Sequence, residues 1–222
     1  MQEKQQEKEV TSMPLIGEEA PEFKAQTTMG PISFPEDYKG KWTVLFSHPG
    51  DFTPVCTTEF LGFQDLKEEF DKIDTQLLGY SVDGIHSHIE WVRNIKKNFD
   101  VEIEFPIIGG LEVAHLYGMI HSIDTSVTVR AVFVINPVGK ISAMIYYPLS
   151  NGRDIKEVLR LVKSLQKSHD EGVATPEAWP KNARFNDEVI IPPAASVADA
   201  MKNENNKEYN CKDWYICTKK NN

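Results

Sequence analysis

The passage from Trp42 to Ile73 constrains this chain most. Trp42-Thr43-Val44-Leu45-Phe46 has the apolar, β-branched character of a buried strand, and Phe60, Phe63, Leu66, Phe70 and Ile73 then recur at helical spacing. The stretch between them leaves room only for a strand-to-helix turn. Pro49 and Pro54 stiffen that turn, Thr53 or Thr57 stands where a helix cap is expected, and Cys56 falls within about one turn of the helix start. Unpaired backbone N–H groups and the positive end of the helix dipole stabilise a thiolate at such a place. Cys56, Phe60 and Phe63 lie at i, i+4 and i+7, so the sulfur is predicted to share the buried face. A cysteine on an apolar face is usually a small core residue. Here His48, Thr53 and Glu59 crowd the same turn, which is poor core chemistry and good site chemistry.

The segment Ser47-His48-Pro49-Gly50-Asp51-Phe52-Thr53-Pro54-Val55-Cys56-Thr57-Thr58-Glu59 resembles the active-site motif of the peroxiredoxins, and in particular that of their one-cysteine-type subfamily. The resemblance implies that Cys56 is a peroxidatic cysteine, which attacks the O–O bond of a peroxide and becomes a sulfenic acid. It further implies that Thr53 hydrogen-bonds the peroxide, that Pro49 shields the sulfur from water, and that Glu59 orients an arginine. His48, Val55, Glu59 and Arg153 are the substrate-binding set it implies. No metal, haem or flavin cofactor belongs to such a site.

Past the Cys56 helix, Thr75 to Val82 reads as a second core strand, and a helix is predicted over His88 to Phe99 with Ile89, Val92, Ile95 and Phe99 on one side. A short strand at Phe105 to Ile108 and a short helix from Leu111 to Tyr117 follow. His86, His88, His115 and His121 lack a carboxylate or cysteine pattern that would make them metal ligands, so surface or capping roles are expected. Val127 to Ile135 is apolar on both faces, as a central strand is. Within it Arg130 shares a face with Val132 and Val134, and a buried guanidinium demands an anion. A structural carboxylate or a thiolate would serve; the resemblance implies that Arg130 is the transition-state stabiliser. Ile141 to Tyr147 returns antiparallel, and a helix after Asn151 carries Ile155, Val158, Leu159, Val162 and Leu165 on its buried side.

This order fits an α/β class, with the resemblance implying a thioredoxin-like fold, a mixed central sheet flanked by helices, extended by a C-terminal arm. The expected divisions are a polar, disordered tail at 1–12, the peroxidase domain at 13–169 and a dimerisation arm at 170–222. Roughly 50 residues of the arm's Pro-rich composition bury too little to fold alone. Its last segment, Cys211-Lys212-Asp213-Trp214-Tyr215-Ile216-Cys217, is similar to the cysteine pair of archaeal-type members. By that resemblance Cys217 is the resolving thiol and Cys211 its exchange partner. Lys41 stands where mammalian one-cysteine relatives carry a lipase serine, so a phospholipase has no visible basis here.

Net charge −9 argues against nucleic-acid or anionic-membrane partners. No run approaches the ~18 apolar residues of a membrane span, and no signal-peptide core is visible, so a cytoplasmic protein is expected. The function expected is a thiol-dependent peroxidase acting on hydrogen peroxide and organic hydroperoxides. Its expected partners are a thioredoxin-like or other thiol reductant and a second copy of the chain, with a decameric ring of dimers as the larger assembly. A ring-forming holdase chaperone or redox sensor is the alternative. A thiol-disulfide oxidoreductase would want a second cysteine beside Cys56, where Thr57 and Thr58 stand.

Overall fold

A computed structural model describes residues 13–120 and 126–221. The tail at 1–12 and His121 lie outside the described residues. The chain divides into two compact units, up to Ile155 and from Lys156 onward.

The first unit is built on a seven-stranded mixed sheet. Its strands are β1 (Phe23–Thr27), β2 (Gly30–Phe34), β3 (Trp42–Ser47), β4 (Thr75–Tyr80), β5 (Ile107–Ile108), β6 (Arg130–Ile135) and β7 (Ile141–Tyr147), in the order β2-β1-β5-β4-β3-β6-β7. β3, β4 and β5 run parallel, because helices return the chain between them: α1 (Pro54–Asp65) and α2 (Lys67–Asp71) after β3, and α3 (Ile85–Phe99) after β4. β6 then enters antiparallel to β3, with Val132 opposite Phe46, and β7 pairs antiparallel with β6. All six residues of both β3 and β6 are buried. A short helix, α4 (Glu112–Leu116), follows β5.

Aromatic packing fixes α1 on the sheet. The Phe46 ring of β3 stacks on Phe63 with centroids 3.8 Å apart, and Phe60 meets both Phe46 and Trp91 of α3. A second cluster, including Phe23, Phe34, Leu45, Leu78, Tyr117 and Phe133, fills the rest of the core.

Two predicted elements differ in detail. The long helix through Ile73 is broken at Leu66, which closes α1 and opens α2; the apolar phase survives the break, since Phe70 is fully buried. In α3 the buried stripe is His88, Trp91 and Ile95, whereas Ile89 and Phe99 are exposed. A 3.6-residue period admits two stripes one position apart, and the large Trp91 ring, packed on Phe60 and His48, selects between them.

The second unit begins on α5 (Ile155–Glu171), which opens at the last residue of the first unit. It contains a three-stranded antiparallel sheet of β8 (Val189–Ile190), β10 (Ile216–Lys219) and β9 (Asn210–Asp213), with β10 in the middle. α6 (Val197–Glu204) is capped by Ser196, whose side chain accepts from the Asp199 N–H. Val173, Trp179 and Val189 form a small apolar cluster, and the Trp179 indole donates to the Asp187 carbonyl at 2.8 Å.

Candidate active site

The turn after β3 is tightly fixed. His48 N–H donates to the Tyr80 carbonyl, Thr128 Oγ1 donates to the His48 carbonyl at 2.7 Å, and Asp51 N–H donates to Asp83 Oδ2 at 2.8 Å. Phe52, at a φ of 55°, bends the chain through the left-handed region just before the helix. Thr53 is the N-cap by position and Pro54 occupies the first turn, but the Thr53 hydroxyl does not cap; it donates to the Gly50 carbonyl at 2.9 Å. Thr57 lies inside the helix and donates to the Thr53 carbonyl. Cys56 is the third residue of α1, a free thiol with no exposed surface, on the face shared with Phe60 and Phe63.

Arg130, the first residue of β6, answers the need for an anion twice. Its Nη1 donates to Glu59 Oε2 at 2.6 Å and to Cys56 Sγ at 3.4 Å, while Nε and Nη2 both donate to the Leu149 carbonyl. Arg153 encloses the other side of the same carboxylate. Its backbone N–H and Nε donate to Oε1, its Nη2 donates to Oε2, and its Nη1 donates to the Ala131 carbonyl. The Arg153 guanidinium also lies 5.6 Å from the Phe46 ring centre. Burial alone would raise the Glu59 carboxyl, but the hydrogen bonds and charge of Arg153, with the charge of Arg130, hold it below the ordinary carboxylate range. Glu59, Arg130 and Arg153 are all buried. Two guanidinium groups against one carboxylate leave one positive charge in excess, and among the described residues the other group that Arg130 Nη1 touches is the Cys56 sulfur. A thiolate there makes the cluster neutral.

Val55 faces Gly152, where an added Cβ would come within 3.4 Å of it, so the chain approaches closely just before Arg153. Pro49 is half-buried between His48 and Gly50. In the second unit Cys211 and Cys217 are opposite each other on β9 and β10 and joined by a disulfide; Cys217 is almost fully buried.

The expectation of surface or capping roles for the later histidines holds for exposed His86 and His115 and fails for His88. His88 has no exposed surface, and its Nδ1 lies 2.8 Å from Asp51 Oδ2. His48 Nε2 meets the other oxygen of that carboxylate, also at 2.8 Å. Asp51 and His88 were therefore missed as members of the site's surroundings. The one sequence signal for Asp51 is an acidic residue three positions after His48, between the two prolines of the turn.

A model of the AhpC/TSA family matches residues 16–144. A peroxiredoxin of Aquifex aeolicus is 56% identical over 221 residues, spanning 96% of this chain and 99% of that one. The chain belongs to the peroxiredoxin family. A peroxiredoxin of the archaeon Methanothermobacter thermautotrophicus is 48% identical across 93% of this chain and 98% of its own. The solved structure of the yeast mitochondrial 1-Cys peroxiredoxin superposes with a TM-score of 0.82 at 42% identity, covering 94% of this chain and all of that one. As a peroxiredoxin with the thioredoxin-like fold, the protein is a thiol-dependent peroxidase, with peroxides as substrates and a thiol as reductant. Among the described residues, no helix is long and apolar enough to cross a membrane.

Proposed function

We propose that Cys56 is the peroxidatic residue of a peroxidase reducing hydrogen peroxide and small organic hydroperoxides. The observation that carries this is the buried Cys56 sulfur 3.4 Å from Arg130 Nη1, in a cluster that needs one more negative charge. The thiolate attacks the terminal peroxide oxygen; an S–O bond forms, the O–O bond breaks, and the leaving alkoxide or hydroxide takes up a proton. Cys56 becomes a sulfenic acid and the peroxide becomes an alcohol or water. Arg130 faces both the attacking sulfur and the place where oxygen charge develops, the role of a preorganised cation. Glu59 and Arg153 hold that guanidinium in place. Thr53, Pro49, Val55 and His48 line the approach; the Thr53 hydroxyl, now engaged with Gly50, is the group that turns to the substrate.

Cys217 then attacks the sulfenic sulfur, forming a Cys56–Cys217 disulfide and releasing water, and Cys211 exchanges into it to free Cys56. The Cys211–Cys217 disulfide is what that exchange leaves for a dithiol reductant of thioredoxin type to reduce. The yeast neighbour, whose thiol resolution runs through glutathione and thioredoxin systems, supports a reductant of this class. We place the enzyme in the cytoplasm as a homodimer, in which the arm of one copy serves the other, with a ring of dimers as its larger form.

Peptide mapping without reductant, after one equivalent of hydrogen peroxide is added to reduced protein, tests the cycle. Cys56–Cys217 linkage followed by Cys211–Cys217 linkage is the expected sequence. Sulfinic Cys56 with both tail thiols free would remove the resolving step. Consumption of peroxide with Cys56 unmodified would overturn the whole reading.

A further inference from the structure

The disulfide of the second unit has two unlike halves. Cys211 lies on β9, an edge strand of the three-stranded sheet, and is half-buried; Cys217 lies opposite it on β10, the middle strand, and is only 3% exposed. β8 runs along the far side of β10, with Ile190 opposite Thr218, and the Ile191 N–H donates to the Cys217 carbonyl at 2.9 Å. Thr218 is buried as well, and its hydroxyl donates to Glu188 Oε2 at 2.5 Å. Cys217 is therefore fixed from both sides, whereas Cys211 has a sheet neighbour on one side alone.

A thiolate that cleaves a disulfide approaches along the S–S axis from behind the sulfur it attacks, and the other sulfur departs. Because this bond bridges neighbouring strands, its axis runs across the sheet. Behind Cys217 the axis meets β8 and Ile191; behind Cys211 it leaves the sheet at its edge. The end of α6 stands there, with the Asn203 carbonyl oxygen 3.6 Å from the Cys211 sulfur. A disulfide sulfur has no hydrogen to give that oxygen, which accepts from the Asn206 N–H instead. Among the described residues of α6 none is buried, so the helix lies on the surface and leaves Cys211 within reach of a reductant. Leaving-group chemistry pulls the other way, since a buried thiolate is costly and Cys217 is the poorer group to expel. Access decides, because backbone closes the approach to the better one. Once freed, the Cys217 thiol finds an acceptor in the Asp213 carbonyl, 3.7 Å from its sulfur.

We propose that Cys211 is the sulfur through which the reductant enters, and that Cys217 is released first. The proposal rests on the reading of this disulfide as the product of the catalytic cycle. The reductant thiolate forms an S–S bond to Cys211 as the Cys211–Cys217 bond breaks, and Cys217 takes up a proton. The second thiol of a dithiol then attacks the reductant's own sulfur in the mixed disulfide; Cys211 leaves as a thiol and the reductant departs as a disulfide, having lost two electrons. A monothiol lacks that exit. Cys217, held opposite Cys211 at an effective concentration of about millimolar or more, attacks Cys211, expels the monothiol and restores the starting bond. The placement of the pair thus selects dithiols.

The test uses the full chain, with the Cys211–Cys217 disulfide formed in one sample by hydrogen peroxide and in another by diamide. Each is treated with glutathione, quenched in acid early in the reaction and mapped by mass spectrometry. Glutathione on Cys211 with Cys217 free is expected in at least about tenfold excess over the reverse adduct. Equal adducts, or glutathione chiefly on Cys217, overturn the proposal. Dithiothreitol at equal thiol concentration is expected to open the pair fully where glutathione leaves it mostly closed; equal opening overturns the selectivity. Disulfide formed by diamide but not by peroxide would sink the resolving cycle while the direction of attack is still read on the same bond. No disulfide in either sample would remove both.

Discussion

Arg130→Gln removes the positive charge that faces Cys56 while keeping a planar polar group of similar reach. Two unit charges 3.4 Å apart attract by about 5 kcal/mol at an effective dielectric near 20. That is a ceiling, because the glutamine amide still donates to the sulfur or to Leu149. Loss of a preorganised donor in comparable sites costs about 2.7–4 kcal/mol, a factor of roughly 10²–10³ in rate. The fold should survive, since Glu59 keeps three bonds from Arg153, one from its backbone and two from its guanidinium. Removing Arg130 also leaves that pair balanced, one cation against one anion. The assay is the second-order rate of Cys56 oxidation by hydrogen peroxide under single-turnover conditions, with urea midpoints measured in parallel. A fall of roughly 10²–10³ with little change in midpoint is the expected result. A fall of less than about tenfold in a folded variant would refute the claim that this guanidinium stabilises the reacting charge.

Glu59→Gln has the opposite signature. It leaves two buried guanidinium groups without their carboxylate, and breaking a buried ion pair from one side costs about 3–5 kcal/mol, so urea unfolding should show a large loss of stability before any question of rate arises. A change below about 1 kcal/mol would mean the cluster is already wet. Acid should act through the same groups. Glu59 and Asp51 are both held below their ordinary values in the folded protein, so the stability they contribute is complete above the unfolded carboxylate range near pH 4 and is lost as pH falls below it. Urea midpoints between pH 7 and pH 3 should therefore be flat at first and then drop, and the Glu59→Gln variant should drop less steeply.

The residues legible in the sequence are those whose neighbours are local. Cys56, Phe60 and Phe63 follow one another along a single helix face, so spacing alone placed the sulfur inside. Arg130 was legible in a weaker sense: its need for an anion is a property of the residue, but the partners that meet the need are 71 and 74 positions away. Both groups weighed for it, a carboxylate and the cysteine sulfur, lie against the same guanidinium nitrogen. Arg153 entered only through the family resemblance, because nothing beside it in sequence marks it as buried; Glu59, 94 positions earlier, and the Ala131 carbonyl do so. The break at Leu66 has no glycine or proline to announce it.

His88 shows why the remainder was illegible. A pattern argument scores imidazole as polar and assigns it outward, which placed the α3 stripe one position away from where it lies. Burial of a histidine depends on whether both ring nitrogens find partners, and here one partner is a carbonyl on a neighbouring strand and the other a carboxylate in the active-site turn. Neither partner is visible from α3 alone. The converse holds for His48, whose position in the motif suggests a substrate contact but not which nitrogen makes it. Its Nε2 meets Asp51, and Asp51 is held by His88 from α3 and by Asp83 after β4. The turn that leads to Cys56 is thus organised from elements that reach it only after the sheet has formed. Its residues are local in sequence, and the groups that hold them are not.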